Sequence, residues 1–250
     1  MALIKTKEQI ETLKEGGKIL ADVLRQVKDA AQVGVTPKEL DELAGRLIAQ
    51  YNAKPSFKGF QGYPAVLCVS VNEQLVHGIP TDKPFQPGDV VGIDCGLWYK
   101  GLCTDMAITV IIGQGSKIAE ELVAVTKQSL AEGLKEIKAG KRLGDYGSAV
   151  QNYVEAHGFS VIRGLVGHGV GTAVHEEPRV PNFGQPGSGE VLQAGMVLAL
   201  EPMVSVGSPQ IITEADGWTI STRDRSLSAH FEVTVAVTDE GYDLITPIIW

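Results

Sequence analysis

The stretch "GDVVGIDCGLWYKGLCTDMAITVIIG" (88–113) reads as two strands rich in β-branched residues around a glycine-containing turn, with an aspartate in each arm, Asp94 and Asp105. If the turn holds two or four residues around "YKGL", paired positions sum to an odd number, so Asp94 and Asp105 share one face of the hairpin. Were they directly opposed, their side chains would lie about 5 Å apart. Two unit charges at that range repel by about 3 kcal/mol at an effective dielectric of about 20. That is a large share of the ~5–15 kcal/mol that stabilises a domain. One protonated aspartate, a basic partner or a metal ion would relieve it.

The first arm has an echo downstream. "PGDVVGID" (87–94) aligns with "AGMVLALE" (194–201) at an offset of 107, and each segment ends in a carboxylate six residues after a glycine. "DMAITV" from Asp105 matches "EVTVAV" from Glu232 in pattern. Helical signals repeat in the same way. Apolar or small residues recur at Ile10, Leu13, Gly17, Leu20, Leu24, Val27 and Ala31, with Thr6 and Gln9 as a capping box. Thr36, Pro37 and Glu39 open a second helix through Leu40, Leu43, Leu47 and Ile48. The segment 57–80 then reads as strand. A third helix is predicted over 115–140 and a fourth over 143–158, with strands again from Val161. These patterns predict a single α+β domain, 1–250, of two pseudo-symmetric halves, about 1–114 and 115–250, sharing one sheet and one core.

Composition narrows the function. With 22 Lys and Arg against 30 Asp and Glu, the net charge is −8, which argues against a general nucleic-acid or anionic-membrane binder. Charged residues from the start of the chain leave no signal-peptide core, and no apolar run approaches the roughly 18 residues of a membrane helix. Three cysteines, Cys68, Cys95 and Cys103, sit in strand-like segments, as expected of reduced thiols in a cytoplasmic protein.

Of the three ways to relieve Asp94 and Asp105, the rest of the chain favours metal. The second half supplies Glu201 and Glu232 on equivalent strands and His168 in "GLVGHGVG". Four carboxylates and one neutral imidazole carry −4, which two divalent cations would cancel. An oxygen-rich set with one nitrogen suits Mn, Fe(II) or Co better than structural zinc. Taken singly, each acid could be a solvated turn or a structural ion pair; the five together are harder to dismiss.

The motifs "VNEQLVHGIP" (71–80), "IDCGLWYKGLCTD" (93–105), "GHGVGTAVHEEP" (167–178), "LEPMV" (200–204) and "SAHFEVTVAVT" (228–238), in this order, resemble the type I methionine aminopeptidases of peptidase family M24 over essentially the whole chain. The resemblance implies a pita-bread fold, a curved antiparallel sheet covered on its outer face by four main helices. It implies two divalent ions, one on Asp94, Asp105 and Glu232 and the other on Asp105, His168, Glu201 and Glu232. It further implies that His175 stabilises the oxyanion, that His77 touches the substrate amide nitrogen or the same intermediate, and that Glu201 is the general base for a metal-bridging hydroxide. A pocket of Phe60, Tyr63, Cys68, His77, Val174 and Trp218 would take the methionine side chain.

The implied reaction is removal of the N-terminal methionine from nascent polypeptides with a small second residue, by a cytoplasmic monomer that meets the ribosome transiently. His157 reads as structural, at the negative end of a helix dipole. The family usually has glutamine at the position of His230 and a histidine at that of Val233, so the surroundings of the metal site depart from its pattern here. Rival readings are an X-Pro aminopeptidase or prolidase, which normally carries an additional N-terminal domain, and a non-catalytic pita-bread binding protein. Type II methionine aminopeptidases insert a subdomain between the last two glutamates, where this chain has only 31 residues from Glu201 to Glu232.

Overall fold

The computed structural model describes residues 3–250. Helix α1 (Lys7–Ala30) starts at the predicted box: Gln9 N donates to Thr6 Oγ1 at 3.2 Å and Thr6 N to Gln9 Oε1 at 2.9 Å. Thr36 and Glu39 cap α2 (Pro37–Gln50) in the same way, with Pro37 in the first turn. Helix α3 (Lys117–Leu134) is shorter than the predicted 115–140. Past Leu134 the bonds tighten to the residue three back, as in Ile137 N to Leu134 O at 3.2 Å, and Ala139 N turns away to the Thr238 carbonyl. Helix α4 (Leu143–Ala156) closes at His157, whose Nδ1 lies 2.7 Å from the Tyr153 carbonyl, as suits a histidine at the negative end of a helix.

The strands pair antiparallel throughout. Val90–Tyr99 and Leu102–Ile111 form the hairpin around the two-residue turn Lys100 and Gly101, and Leu67–Val71 lies on the other edge of Val90–Tyr99. A five-stranded sheet in the second half runs in the order Tyr242–Leu244, Val233–Val237, Val197–Leu200, Gly167–Gly169, Glu176–Val180. The segment 57–66, expected as strand, is instead a turn with a short 3₁₀ piece, Phe60–Gly62, because Gly59, Gln61 and Gly62 all hold positive φ. Within the predicted stretch strand begins only at Leu67, breaks for a turn at Asn72 and Glu73, and ends at Val76, short of the expected residue 80.

In place of the expected single sheet the described residues form four, one of which pairs Gln74–Val76 with Ile220–Thr222 across the halves, and the two largest are not joined into one where the halves meet. At that seam Asp105 N donates to Thr234 Oγ1 and Thr234 Oγ1 to the Asp105 carbonyl, while Thr109 Oγ1 and the His230 backbone exchange bonds in the same manner. Between these two pairs Glu232 N reaches the Ala107 carbonyl at 2.9 Å. Threonine hydroxyls therefore stand in for backbone partners on either side of one isolated bridge. The helices cover the sheets as two pairs, α1 beside α2 and α3 beside α4. One continuous core runs from Leu24 and Ile48 through Ile93 and Ile108 to Leu122, Tyr146, Leu198 and Val235. Among the described residues no helix is long and apolar enough to cross a membrane.

Gly17 is where α1 touches the backbone beneath it, since a Cβ there would lie 2.0 Å from the Ile245 carbonyl oxygen. Gly17→Ala should therefore destabilise the protein by about 2 kcal/mol, overpacking outweighing the ~1 kcal/mol that alanine gains in helix propensity. Equilibrium urea unfolding measures this, and an unchanged or raised midpoint would refute the contact.

Candidate active site

The hairpin carries its two aspartates into a cavity of about 510 Å³ between the halves. Asp105 lies opposite Gly96 and Asp94 opposite Ala107, so the two share a face as diagonal neighbours rather than a directly opposed pair. Gly96 leaves the room this needs: a Cβ there would sit 3.2 Å from Asp105 Oδ1 and 2.2 Å from Ser56 Oγ. The second half brings His168, Glu201 and Glu232 to the same cavity. Glu201 follows directly on the strand Val197–Leu200, and Glu232 is held by its bond to Ala107.

His168 Nε2 is 3.5 Å from Glu201 Oε1, and its Nδ1 donates to the Gly169 carbonyl at 2.9 Å. That bond fixes the tautomer whose Nε2 lone pair faces the carboxylates, the form a metal ligand requires. Asp105, His168 and Glu232 each offer an atom within 4.8 Å of the others, close enough to share one ion. Three further features fit a cation. Asp94 Oδ1, Glu232 Oε1 and His230 Nε2 are buried with no hydrogen-bond partner. Among the described residues, no lysine or arginine pairs with any of the four acids. The acids themselves are strained: burial, then the charges of Asp105 and Glu201, push Asp94 well up, and burial lifts Asp105 to about 7 against the Met106 N–H bond that lowers it. Glu201 and Glu232 rise for the same reasons, burial first and then Asp105.

The remaining predicted residues, Phe60, Tyr63, Cys68, His77, Val174, His175 and Trp218, also line this cavity. The Tyr63 and Trp218 rings meet edge-on at 5.2 Å, and the Tyr63 hydroxyl lies 2.9 Å from the carbonyls of both Leu67 and Gly78. His77 stands at φ 58, an uncommon conformation for a side-chain-bearing residue. His175 lies seven residues after His168, an odd spacing that would put the two on opposite faces of a regular strand, but the ladder shifts register after His168 and the rings end 4.4 Å apart. Burial lowers the pKa of both His77 and His175, which keeps the imidazoles neutral. His230 was not among the predicted site residues. Its Nε2 lies 3.5 Å from Glu201 Oε2 and 3.9 Å from Glu232 Oε2. Its signals in the sequence are its place two residues before Glu232, hence on the same strand face, and the glutamine the family usually has there.

Residues 11–239 match metallopeptidase family M24. A methionine aminopeptidase from Clostridium perfringens is 46% identical over 99% of this chain and 100% of its own length. The solved methionine aminopeptidase of Thermotoga maritima superposes with a TM-score of 0.97 at 45% identity, covering 99% of this chain and 100% of that one. A Xaa-Pro dipeptidase from Bacillus anthracis shares the fold at a TM-score of 0.81 and 25% identity, but this chain covers only 63% of it. The architecture is thus the pita-bread fold, and the chain belongs to metallopeptidase family M24, among its methionine aminopeptidases.

Proposed function

We propose that this protein removes the N-terminal methionine from nascent polypeptides with a small second residue, as a single catalytic unit of two like halves, acting in the cytoplasm as a monomer in transient contact with the ribosome. The observation that carries the reading is the convergence, in one cavity, of four carboxylates and a tautomer-fixed histidine drawn from both halves. The donor set suits divalent ions: one would be held by Asp94, Asp105 and Glu232 and another by Asp105, His168, Glu201 and Glu232, with Mn, Fe(II) and Co as the candidates. When bound, such ions polarise the scissile carbonyl and make water a nucleophile near neutral pH.

The chain's own side chains supply the rest. The edge-on pair Tyr63 and Trp218, with Phe60, Cys68 and Val174, forms an apolar wall suited to an unbranched thioether. A methionine seated there leaves its α-amine toward Asp94. Glu201 takes the proton of the attacking water and hands it to the leaving amine. His175, neutral and open to the cavity, donates to the carbonyl oxygen as negative charge develops on it. His77, also neutral, faces the substrate amide nitrogen from its fixed backbone geometry.

Protein reconstituted with Mn, Fe(II) or Co should release methionine from a Met-Ala-Ser peptide and lose that activity on chelation. Absence of release with all three ions would refute the reading. Asp105→Asn, which alters an acid assigned to both ions, should lower kcat by about a hundredfold or more. Full activity of that variant at saturating metal would remove Asp105 from the ligand set.

Stability should report the same acids. The folded, metal-free protein holds Asp105 at about 7, above its ordinary value, so it favours the protonated form. That contribution is complete below the ordinary aspartate range and is lost as pH rises through about 7. Urea midpoints of chelated protein should therefore fall between pH 5.5 and 8 and recover when metal is added. A midpoint indifferent to both pH and metal would contradict the cluster's assignment.

A further inference from the structure

The segment ahead of α1 reaches the active site from behind. Ile4 bridges Met196, and Lys5 N donates to the Gly195 carbonyl at 2.8 Å, so the segment lies beside the start of the strand that leads to Glu201. From there the Lys5 side chain runs inward. It passes so close to Gly171 that a Cβ at that position would lie 2.5 Å from Lys5 Cε. Its ammonium donates to Glu176 Oε2 at 2.5 Å, and the two side chains are only 2% and 5% exposed.

The other oxygen of Glu176 is also fully used. Oε1 accepts from Thr172 N, from Thr172 Oγ1 at 2.7 Å and from Ala173 N at 3.0 Å. One carboxylate thus closes residues 172–176 into a loop, and among the described residues Lys5 is the only cation paired with it. His175 is carried on that loop, its ring edge-on to His168 at 4.4 Å and to Phe60 at 5.4 Å.

We propose that Lys5 is a positioning residue for His175: its buried ammonium keeps Glu176 ionised and seated, and Glu176 holds the loop that aims the imidazole at the reacting carbonyl. This rests on the role given to His175 under Proposed function. Burial works to raise the Glu176 pKa, but the bonds from Lys5 and Thr172 outweigh it and hold the carboxyl below its ordinary range. Without Lys5 the carboxylate would be a buried charge with no counter-ion, and it would take up a proton or turn outward. Either change loosens its grip on Thr172 and Ala173.

The test is steady-state kinetics on Met-Ala-Ser with metal-loaded wild type, Lys5→Met, His175→Ala and the variant carrying both, with metal affinity measured by calorimetry. Lys5→Met should lower kcat by about ten- to a hundredfold, the cost of misplacing a catalytic group by about 1 Å. KM and metal affinity should stay within about twofold of wild type if the change is confined to that group. In the His175→Ala background the same substitution should cost less than about twofold, because residues acting as a unit are not additive. Adding Glu176→Gln to Lys5→Met should recover part of kcat, since glutamine still accepts from Thr172 and Ala173 without a buried charge. If Lys5→Met does not fold, this double variant carries the comparison in its place.

Wild-type kcat in Lys5→Met would overturn the proposal. So would a loss that multiplies fully with His175→Ala, or one matched by a fall in metal affinity. Wild-type kcat in His175→Ala would instead overturn the role of His175 itself, a result read from that variant alone.

Discussion

Four carboxylates enclosed in one cavity cannot all keep their charges without a cation among them, and the architecture is arranged around that constraint. Asp105, Glu201 and Glu232 are buried, and no lysine or arginine pairs with them or with Asp94 among the described residues. In most folds such a cluster would be removed by selection for stability, since desolvation alone costs several kcal/mol per ion. Here the surrounding elements hold it in place. Gly96 clears space for Asp105, the Gly169 carbonyl fixes the His168 ring, and the Ala107 bridge anchors Glu232. The cost of gathering these acids and their fitness to hold divalent cations are one property seen from two sides.

The break between the sheets lies beside the same residues. No regular ladder runs between Leu102–Ile111 and the strand leading to Val233–Val237. Threonine hydroxyls at 109 and 234 satisfy the backbone there instead, leaving Ala107 and Glu232 as the single bridge. The core is continuous across this seam while the backbone ladder is not.

Most of this could be read from the sequence where the signal is local. Helix caps depend on residues three apart, so Thr6 with Gln9 and Thr36 with Glu39 were plain. The shared face of Asp94 and Asp105 needs only strand parity and a short turn; their diagonal offset depends on the turn's length, which parity does not supply. The segment 57–66 misled because its aromatic residues suit a strand, whereas positive φ at three positions makes it a turn that delivers Phe60 and Tyr63 to the cavity. The threonine seam and the contact of Lys5 with Glu176 were invisible, since each joins residues more than a hundred positions apart with no periodic trace. His230 was noticed for its place beside Glu232, but its approach to Glu201 depends on how two distant strands meet.

The bridge between Ala107 and Glu232 also sets an order in time. Synthesis delivers Asp94 and Asp105 early, His168 and Glu201 later, and Glu232 last of the five. Until that residue has emerged and closed onto Ala107, the growing polypeptide carries an open set of acids and no finished centre. The set of five is therefore complete only once nearly the whole chain has been made.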